Sequence, residues 1–168
     1  KAIENFQQAL AIARRLGNEN AIATSFIDIG EGYKYWDKND KAMENFQQAL
    51  AIYRKLGNEV GIATSLESIG NVYEYWDKYD KAIENYQQAL ILFRKVEKED
   101  KIASSLKSIA RAYEYWGQYD KAIENYQQAL TLYKKLGKEK WIASTVNSIG
   151  MLYQSQDKFD KAIENFQQ

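Results

Sequence analysis

Apolar residues recur along the chain with the spacing of an amphipathic helix. Between residues 81 and 90 they fall at positions i, i+1, i+4, i+7 and i+8, namely Ala82, Ile83, Tyr86, Ala89 and Leu90. A second stripe upstream steps by three, four and three residues through Leu66, Ile69, Tyr73 and Trp76. Neither stripe alternates as a half-buried strand does. The pattern therefore predicts two helices, at about residues 58–76 and 79–96.

The residues between the stripes carry helix stop and start signals. Gly57 is expected to take the left-handed conformation after a last helical turn, and Asn58 to offer its side-chain oxygen as an N-cap. Asp80 lies near the start of the following helix, where its charge suits the helix dipole. Because the links are short, consecutive helices are expected to be antiparallel neighbours.

The segment that begins the second helix is copied along the chain. Copies start every 40 residues, at Lys1, Lys41, Lys81, Lys121 and Lys161, and such a period is typical of helical solenoids. We therefore predict an all-α fold, an α-solenoid of antiparallel helix pairs, each with a helix A followed by a helix B. The predicted divisions of this single array are 1–17 (helix B of a partial repeat), 18–57, 58–97, 98–137 and 138–168 (with a truncated helix B). Because both ends interrupt a repeat, we expect the chain to be a length of a longer array.

Composition narrows the classes of partner. An apolar share of 45% with 27% charged residues is normal for a folded chain, despite a mean hydropathy of −0.61. Basic and acidic residues balance at 23 each, so no net field favours nucleic acid or an anionic membrane. No apolar run approaches the roughly 18 residues of a membrane span. We expect a soluble protein; its compartment is undetermined, and the cytoplasm is favoured.

The chain lacks the residues that most catalytic and metal sites need. It has no Cys and no His, which removes disulfides, thiolate ligands and the commonest general base. Acidic residues are spaced by repeats and are not gathered into a catalytic pair. We therefore expect no enzymatic activity, no cofactor and no metal site.

The two stripes resemble the tetratricopeptide repeat, in which a large residue, Leu-Gly and Tyr are followed by spaced Ala and Phe. The matching residues in one repeat are Leu66, Ile69, Gly70, Tyr73, Tyr79, Ala82, Tyr86 and Ala89. The repeat is longer than the usual form and lacks its closing proline. It is similar to the arrays of kinesin light chains, Pins-type scaffolds and bacterial tetratricopeptide proteins. This resemblance implies a right-handed superhelix that binds a peptide or protein partner in a concave groove and performs no chemistry.

By this resemblance, the inner face of the A helices lines the groove, and its residues differ between repeats. The predicted groove residues are Ile27, Glu31, Lys34, Tyr35, Glu67, Asn71, Glu74, Tyr75, Lys107, Arg111, Glu114 and Tyr115. Only Asn71 matches the Asn of family members that clamp a carboxylate, so such a clamp is not predicted. With Asp28, five acidic groove residues face three basic ones, which favours a basic and aromatic partner segment. The tyrosines either recognise the ligand or pack on neighbouring repeats.

Structural roles are expected for the remaining conspicuous residues. The glycines Gly30 and Gly70 should let paired helices approach closely, while Ala110 at the same position should separate its pair slightly. The tryptophans end the apolar stripes and are predicted to lie in the core; they are Trp36, Trp76 and Trp116. The nearly identical outer face of helix B is interpreted as a solvated surface.

A second hypothesis is a structural array without a dedicated ligand. In this interpretation the chain is a self-associating, or engineered, repeat segment. Ile3, Phe6 and Leu10 in the first helix are expected to be partly exposed. Uncovered apolar ends of this kind predict end-to-end self-association.

Overall fold

The computed structural model describes residues 2–166, and the side chains of residues 3–163. Nine helices and no strand occupy this part of the chain, as the sequence predicted. The A helices are α2, α4, α6 and α8, and the others are B helices. Their bounds are α1 Ala2–Arg15, α2 Glu19–Tyr35, α3 Asn39–Leu56, α4 Glu59–Tyr75, α5 Tyr79–Lys95, α6 Glu99–Tyr115, α7 Tyr119–Lys135, α8 Glu139–Ser155 and α9 Phe159–Phe166.

The predicted cap residues end and start the helices. Gly57 has φ 66° after the last turn of α3, and the Gly61 N–H donates to Asn58 Oδ1 over 2.9 Å at the start of α4. The two corresponding residues before α6 are neither a glycine nor a side-chain cap. Glu97 takes φ 54° although it has a side chain, and Lys98 provides no side-chain cap. The turn before α6 therefore forms without a glycine at the left-handed position and without a side-chain N-cap.

The helices are grouped into two compact units, one ending at Val96 and the other beginning at Glu97. In unit 1, α1 to α5 pack in chain order. Part of its core consists of Leu10, Ala23, Phe26, Ile29, Ala49 and Tyr53. In unit 2, α6 to α9 pack likewise. Part of its core consists of Ala110, Ala122, Ile123, Tyr126, Leu130, Ile149 and Leu152.

Glycine allows helix A to lie directly against an aromatic ring of helix B. A Cβ built on Gly70 would be 2.6 Å from Cε1 and 2.8 Å from Cδ1 of Tyr86, which is closer than such atoms approach. Gly30 has the same relation to the ring of Phe46. In α6 the position is taken by Ala110, which is buried in the cluster that contains Tyr126. The close approach at Gly30 and Gly70 is thus confirmed, and the wider spacing at Ala110 stays a prediction.

The predicted burial of the tryptophans is wrong. Trp36 and Trp116 are 49% and 47% exposed, and Trp76 is half-buried. All three occupy C-cap positions, where the stripe continues in sequence although the helix has ended. Lys38 and Lys78 place their Nζ atoms 5.5 and 5.1 Å from the Trp36 and Trp76 ring centroids. These tryptophans are therefore partly exposed residues at the C-terminal ends of the A helices.

Of the three residues of the first helix that were expected to be partly exposed, only Phe6 is half-buried; the prediction is wrong for the other two. Ile3 and Leu10 are only 5% and 8% exposed, since α1 turns this side toward α2, where Ile3 lies against Gly32. Ile12 in α1 and Leu16 just after its end are large apolar residues that are exposed.

Candidate functional site

The predicted groove residues of unit 1 lie on α2 and α4. Tyr35 and Tyr75 end these helices and are 88% and 59% exposed. At 88% exposure, Tyr35 contributes little packing in unit 1, so its large aromatic area is available to a ligand. Ile27 is half-buried and packs against the core cluster, and Glu67, in the middle of α4, is also half-buried.

Glu31 and Lys34 come together on α2. The Lys34 Nζ lies 2.5 Å from Glu31 Oε2, and the Ser68 hydroxyl of α4 donates to Glu31 Oε1 over 3.2 Å. These contacts link the two A helices of unit 1 through polar side chains. A ligand that approaches here meets a paired carboxylate rather than an isolated charge.

Two predicted groove acids have a structural partner that the sequence analysis missed. The Tyr86 hydroxyl donates to Asn71 Oδ1 at 2.7 Å and to Glu74 Oε2 at 2.9 Å. In unit 2 the Tyr126 hydroxyl donates to Glu114 Oε2 at 2.7 Å. Both tyrosine side chains are buried, so their hydroxyls need these acceptors.

The residues at these two positions vary together along the chain. Where helix B carries Tyr86 or Tyr126, helix A carries Glu74 or Glu114; where helix B carries Phe46, which has no hydroxyl, helix A carries Lys34. Part of the variation on helix A is therefore explained by internal hydrogen bonding. The signal was present in the sequence as this pairing of Glu with Tyr twelve residues later.

The predicted residues of unit 2 include two cations that line a cavity. Lys107 and Arg111, one turn apart on α6, face a cavity of about 360 Å³ together with Trp141 of α8. Lys107 Nζ lies 4.5 Å from the Trp141 ring centroid and donates to Ser144 Oγ at 3.0 Å. Tyr115 ends α6 and is 59% exposed.

Burial and neighbouring charge shift three pKa values at these surfaces. Burial, together with nearby Glu31, raises the pKa of Asp28 in unit 1. In unit 2, burial and then the charge of Arg111 lower the pKa of Lys107. Burial first, and then the hydrogen bond to Glu114, raise the pKa of Tyr126, which keeps its proton on the hydroxyl.

The sequence analysis missed the residues that α7, α8 and the turn between them add to the cavity. Tyr133, Lys138 and Trp141 line it, and the Trp141 ring stacks on Tyr133 with centroids 6.0 Å apart. The available signal was a tryptophan at a place where the preceding repeats have Lys101 and Gly61. Its proximity to Lys107 depends on how α6 and α8 pack.

Two further findings concern the described part of the chain. Across residues 2–166, no helix is long and apolar enough to cross a membrane. No group of three or more acidic side chains able to hold a metal ion occurs among the described residues.

Comparison with known families identifies the class of protein. Models of the tetratricopeptide repeat match residues 1–55, 61–135 and 143–168. The chain therefore belongs to the tetratricopeptide repeat family, as its sequence pattern suggested. Tetratricopeptide repeats form protein-interaction scaffolds, and the fold is generally not catalytic. None of the curated protein sequences matches this chain significantly.

Solved structures show the same fold at low sequence identity. BtubC (BKLC) from P. vanneervenii is 22% identical with a TM-score of 0.82, over 98% of this chain and 70% of BtubC. A Podosopora anserina protein, described as a kinesin light chain with nearly identical TPR-like repeats, is 19% identical with a TM-score of 0.77. The match covers 98% of this chain and 82% of the P. anserina chain. A Rap protein complexed with Competence and Sporulation Factor is 21% identical with a TM-score of 0.84, over 97% of this chain and 46% of the Rap protein.

Proposed function

We propose that this chain binds a peptide segment of a partner protein along the A helices of its units. In unit 1 the contact surface is formed by α2 and α4, and in unit 2 by α6. The observation that carries the proposal is the exposed tyrosine at the end of each of these helices, beside polar residues that differ between repeats. These tyrosines are Tyr35, Tyr75 and Tyr115.

Tyrosine suits this role because it offers a large contact area, a hydroxyl group and few rotatable bonds. The polar residues beside it supply the selectivity. In unit 1 they are the acceptors Asn71 and Glu74 and the ion pair of Glu31 with Lys34. In unit 2 they are Lys107 and Arg111. Each unit thus offers a different chemical surface on the same type of helix.

The outer face of helix B contrasts with this surface. Its residues are nearly identical from copy to copy, and in α5 the Gln88 side-chain amide donates to Glu84 Oε1 over 3.4 Å within the helix. A surface repeated in this way distinguishes no ligand by itself. A protein that shares this fold over part of its length, a Rap protein, is complexed with Competence and Sporulation Factor, which supports the proposal that the present chain binds a ligand. We attribute no catalytic step to the chain.

The test is a peptide-library selection on the immobilised chain, followed by affinity measurements with the selected peptides. Tyr75→Ala removes one proposed contact residue from unit 1, and Arg111→Glu removes one from unit 2. Loss of a central aromatic or Arg contact weakens binding by about thirty-fold or more, corresponding to roughly 2 kcal/mol. Gln87→Ala and Gln128→Ala, on exposed positions of α5 and α7, are the matched controls. Selected peptides that bind both A-helix variants unchanged, but lose affinity for the controls, would refute the proposal.

A second candidate function is self-association, and it rests on exposed apolar side chains. Ile12 in α1 and Leu16 just after it are 51% and 70% exposed, and Phe159 and Ile163 in α9 are each 54% exposed. Adjacent exposed apolar residues of this kind favour association between copies. Sedimentation over a range of protein concentrations tests it. Association that disappears in Leu16→Lys supports this candidate, and a monomer at all concentrations contradicts it.

A further inference from the structure

The cavity of unit 2 has a lining in which positive charge predominates. It lies between α6, the end of α7 and the start of α8, with a volume of about 360 Å³. Four cations, one carboxylate and two aromatic rings contribute to its wall: Lys101, Lys107, Arg111, Lys138, Asp100, Tyr133 and Trp141. The chain as a whole carries no net charge, so this is a local excess. A volume of this size is at the lower end of ligand pockets and accommodates one or two side chains.

Lys107 is the most constrained of these cations. It is half-buried, and its Nζ contacts the Ser144 hydroxyl at 3.0 Å and the Trp141 ring at 4.5 Å from the centroid. Both of these partners are neutral, so they orient the ammonium group without neutralising it. Arg111, one turn along α6, lines the same cavity. The lowered pKa of Lys107, caused by burial and by Arg111, indicates that an anion placed here would relieve an unfavourable environment.

The corresponding place in unit 1 shows that the fold does not need these cations. Because the repeat is 40 residues long, equivalent residues lie 40 or 80 positions earlier in the sequence. The residues 80 positions before the four cations all lie in unit 1, and none of them is a cation: they are Ala21, Ile27, Glu31 and Asn58.

In unit 1 four of the corresponding residues are joined in pairs by hydrogen bonds. The Asn58 side-chain amide donates to Asn20 Oδ1 at 2.9 Å, and the hydroxyls of Thr24 and Tyr53 are 2.9 Å apart. Trp141 corresponds to Gly61, which lies against the ring of Tyr53. The helices therefore pack without Lys107, Arg111 or Trp141, and the cations of unit 2 are additions to a framework that is complete without them.

We propose that the unit 2 cavity binds an anionic side chain of the partner peptide, a carboxylate or a phosphate group. This inference rests on the proposed peptide-binding function and names the chemistry that unit 2 selects. The anion is held by Lys107 and Arg111 on α6 and by Lys138 at the start of α8, while Trp141 contacts the adjoining apolar part of the peptide. The acidic excess counted over the predicted groove residues had favoured a basic partner; at unit 2 the charge points to an acidic one.

The experiment compares three peptides of the same length by fluorescence anisotropy with the whole chain at low ionic strength. The parent probe is fluorescein-labelled Gly-Ser-Glu-Leu-Glu-Ser-Gly. One counterpart has Gln in place of both Glu residues, and the other has phosphoserine. We expect the Glu or the phosphoserine peptide, or both, to bind at least about ten-fold more tightly than the Gln peptide, as loss of a charged contact at a binding site implies. Whichever of the two binds more tightly identifies the source of the anion.

Charge reversal locates the binding site. Lys107→Glu should abolish the preference for the anionic peptide, and Lys138→Ala, which alters an exposed residue, should reduce it. Lys134→Glu, on an exposed position of α7 outside the cavity, is the control of equal charge change and should keep the preference. Circular dichroism of each variant establishes that it is folded, and Lys138→Ala keeps the test decisive if Lys107→Glu unfolds.

Failure of this inference can be distinguished from failure of the proposed function. If the wild type binds the Gln peptide as tightly as the acidic ones, or if Lys107→Glu and Lys138→Ala keep the full preference, the cavity is not an anion site. Peptides from the library selection would still bind the A helices in that case, and the proposed function would stand. If neither the selected nor the acidic peptides bind, both proposals are wrong.

Discussion

Replacement of Gly70 by alanine tests whether helix A and helix B are held as closely as the structure places them. In an open helix position, Gly→Ala raises stability by about 1 kcal/mol because alanine is the better helix former. Here the added Cβ would lie 2.6 and 2.8 Å from two ring carbons of Tyr86. That ring is fully buried, and its hydroxyl is held by Asn71 and Glu74, so it has little room to move.

The two effects oppose each other, and their magnitudes decide the sign. Overpacking of a well-packed core costs about 1–3 kcal/mol, against a gain of about 1 kcal/mol from helix propensity. With the overpacking cost taken as about 2 kcal/mol, Gly70→Ala should lower the free energy of unfolding by about 1 kcal/mol. For a chain of this length the corresponding fall in melting temperature is about 2–4 °C. Urea unfolding followed by circular dichroism measures it.

Variants of the ring separate the clash from other causes. In a Tyr86→Leu background the clashing ring atoms are gone, so Gly70→Ala should become stabilising by about 1 kcal/mol, the value for propensity alone. In a Tyr86→Phe background the ring stays, and the substitution should remain unfavourable. If Gly70→Ala stabilises the wild-type chain by about 1 kcal/mol, the close approach of α4 and α5 is wrong.

Three further predictions concern the helix starts and the cation cavity. Asn58→Ala removes the N-cap of α4 and should lower stability by about 1 kcal/mol in thermal unfolding; an unchanged melting temperature would show that the cap contributes nothing. Glu97→Gly relieves a left-handed residue before α6 and should raise stability by up to about 1 kcal/mol, whereas a loss would contradict the strain argument. Because an anion favours the charged form of Lys107, whose pKa burial and Arg111 lower, affinity for the acidic peptide should fall as the pH rises through that pKa, and Lys107→Arg should flatten this dependence; equal slopes for both proteins would contradict it.

The fold could be predicted closely from the sequence because the repeat supplies the same signals many times. The expected helices at about 58–76 and 79–96 occur as Glu59–Tyr75 and Tyr79–Lys95. Gly57 and Asn58 act as the predicted cap residues. These features depend on local backbone preference and on one apolar stripe, and both can be derived from adjacent residues.

The candidate site could be predicted only in part, because its contacts join separate helices. The stripe that ends in Trp36 predicted burial, yet no helix covers the residue beyond the last turn, and the side chain is 49% exposed. Glu74 was assigned to the ligand surface, whereas it also accepts a hydrogen bond from Tyr86 of the next helix. Trp141 was not selected at all, since its distance to Lys107 is set by how α6 and α8 pack. The period of the apolar residues predicts which face of a helix is buried, but it does not predict which helix packs against that face.

The central claim is that the A helices contact the ligand while the repeated B helices support them. Backbone amide chemical shifts of the labelled chain, measured by NMR during titration with a selected peptide, test this claim most directly. We predict that the largest shifts occur in α2 and α4, around Asn71 and Tyr75, or in α6, around Lys107 and Arg111. The outer positions of α5, such as Glu84 and Gln87, should shift little. Largest shifts on those outer positions, with the A helices unchanged, would contradict the account.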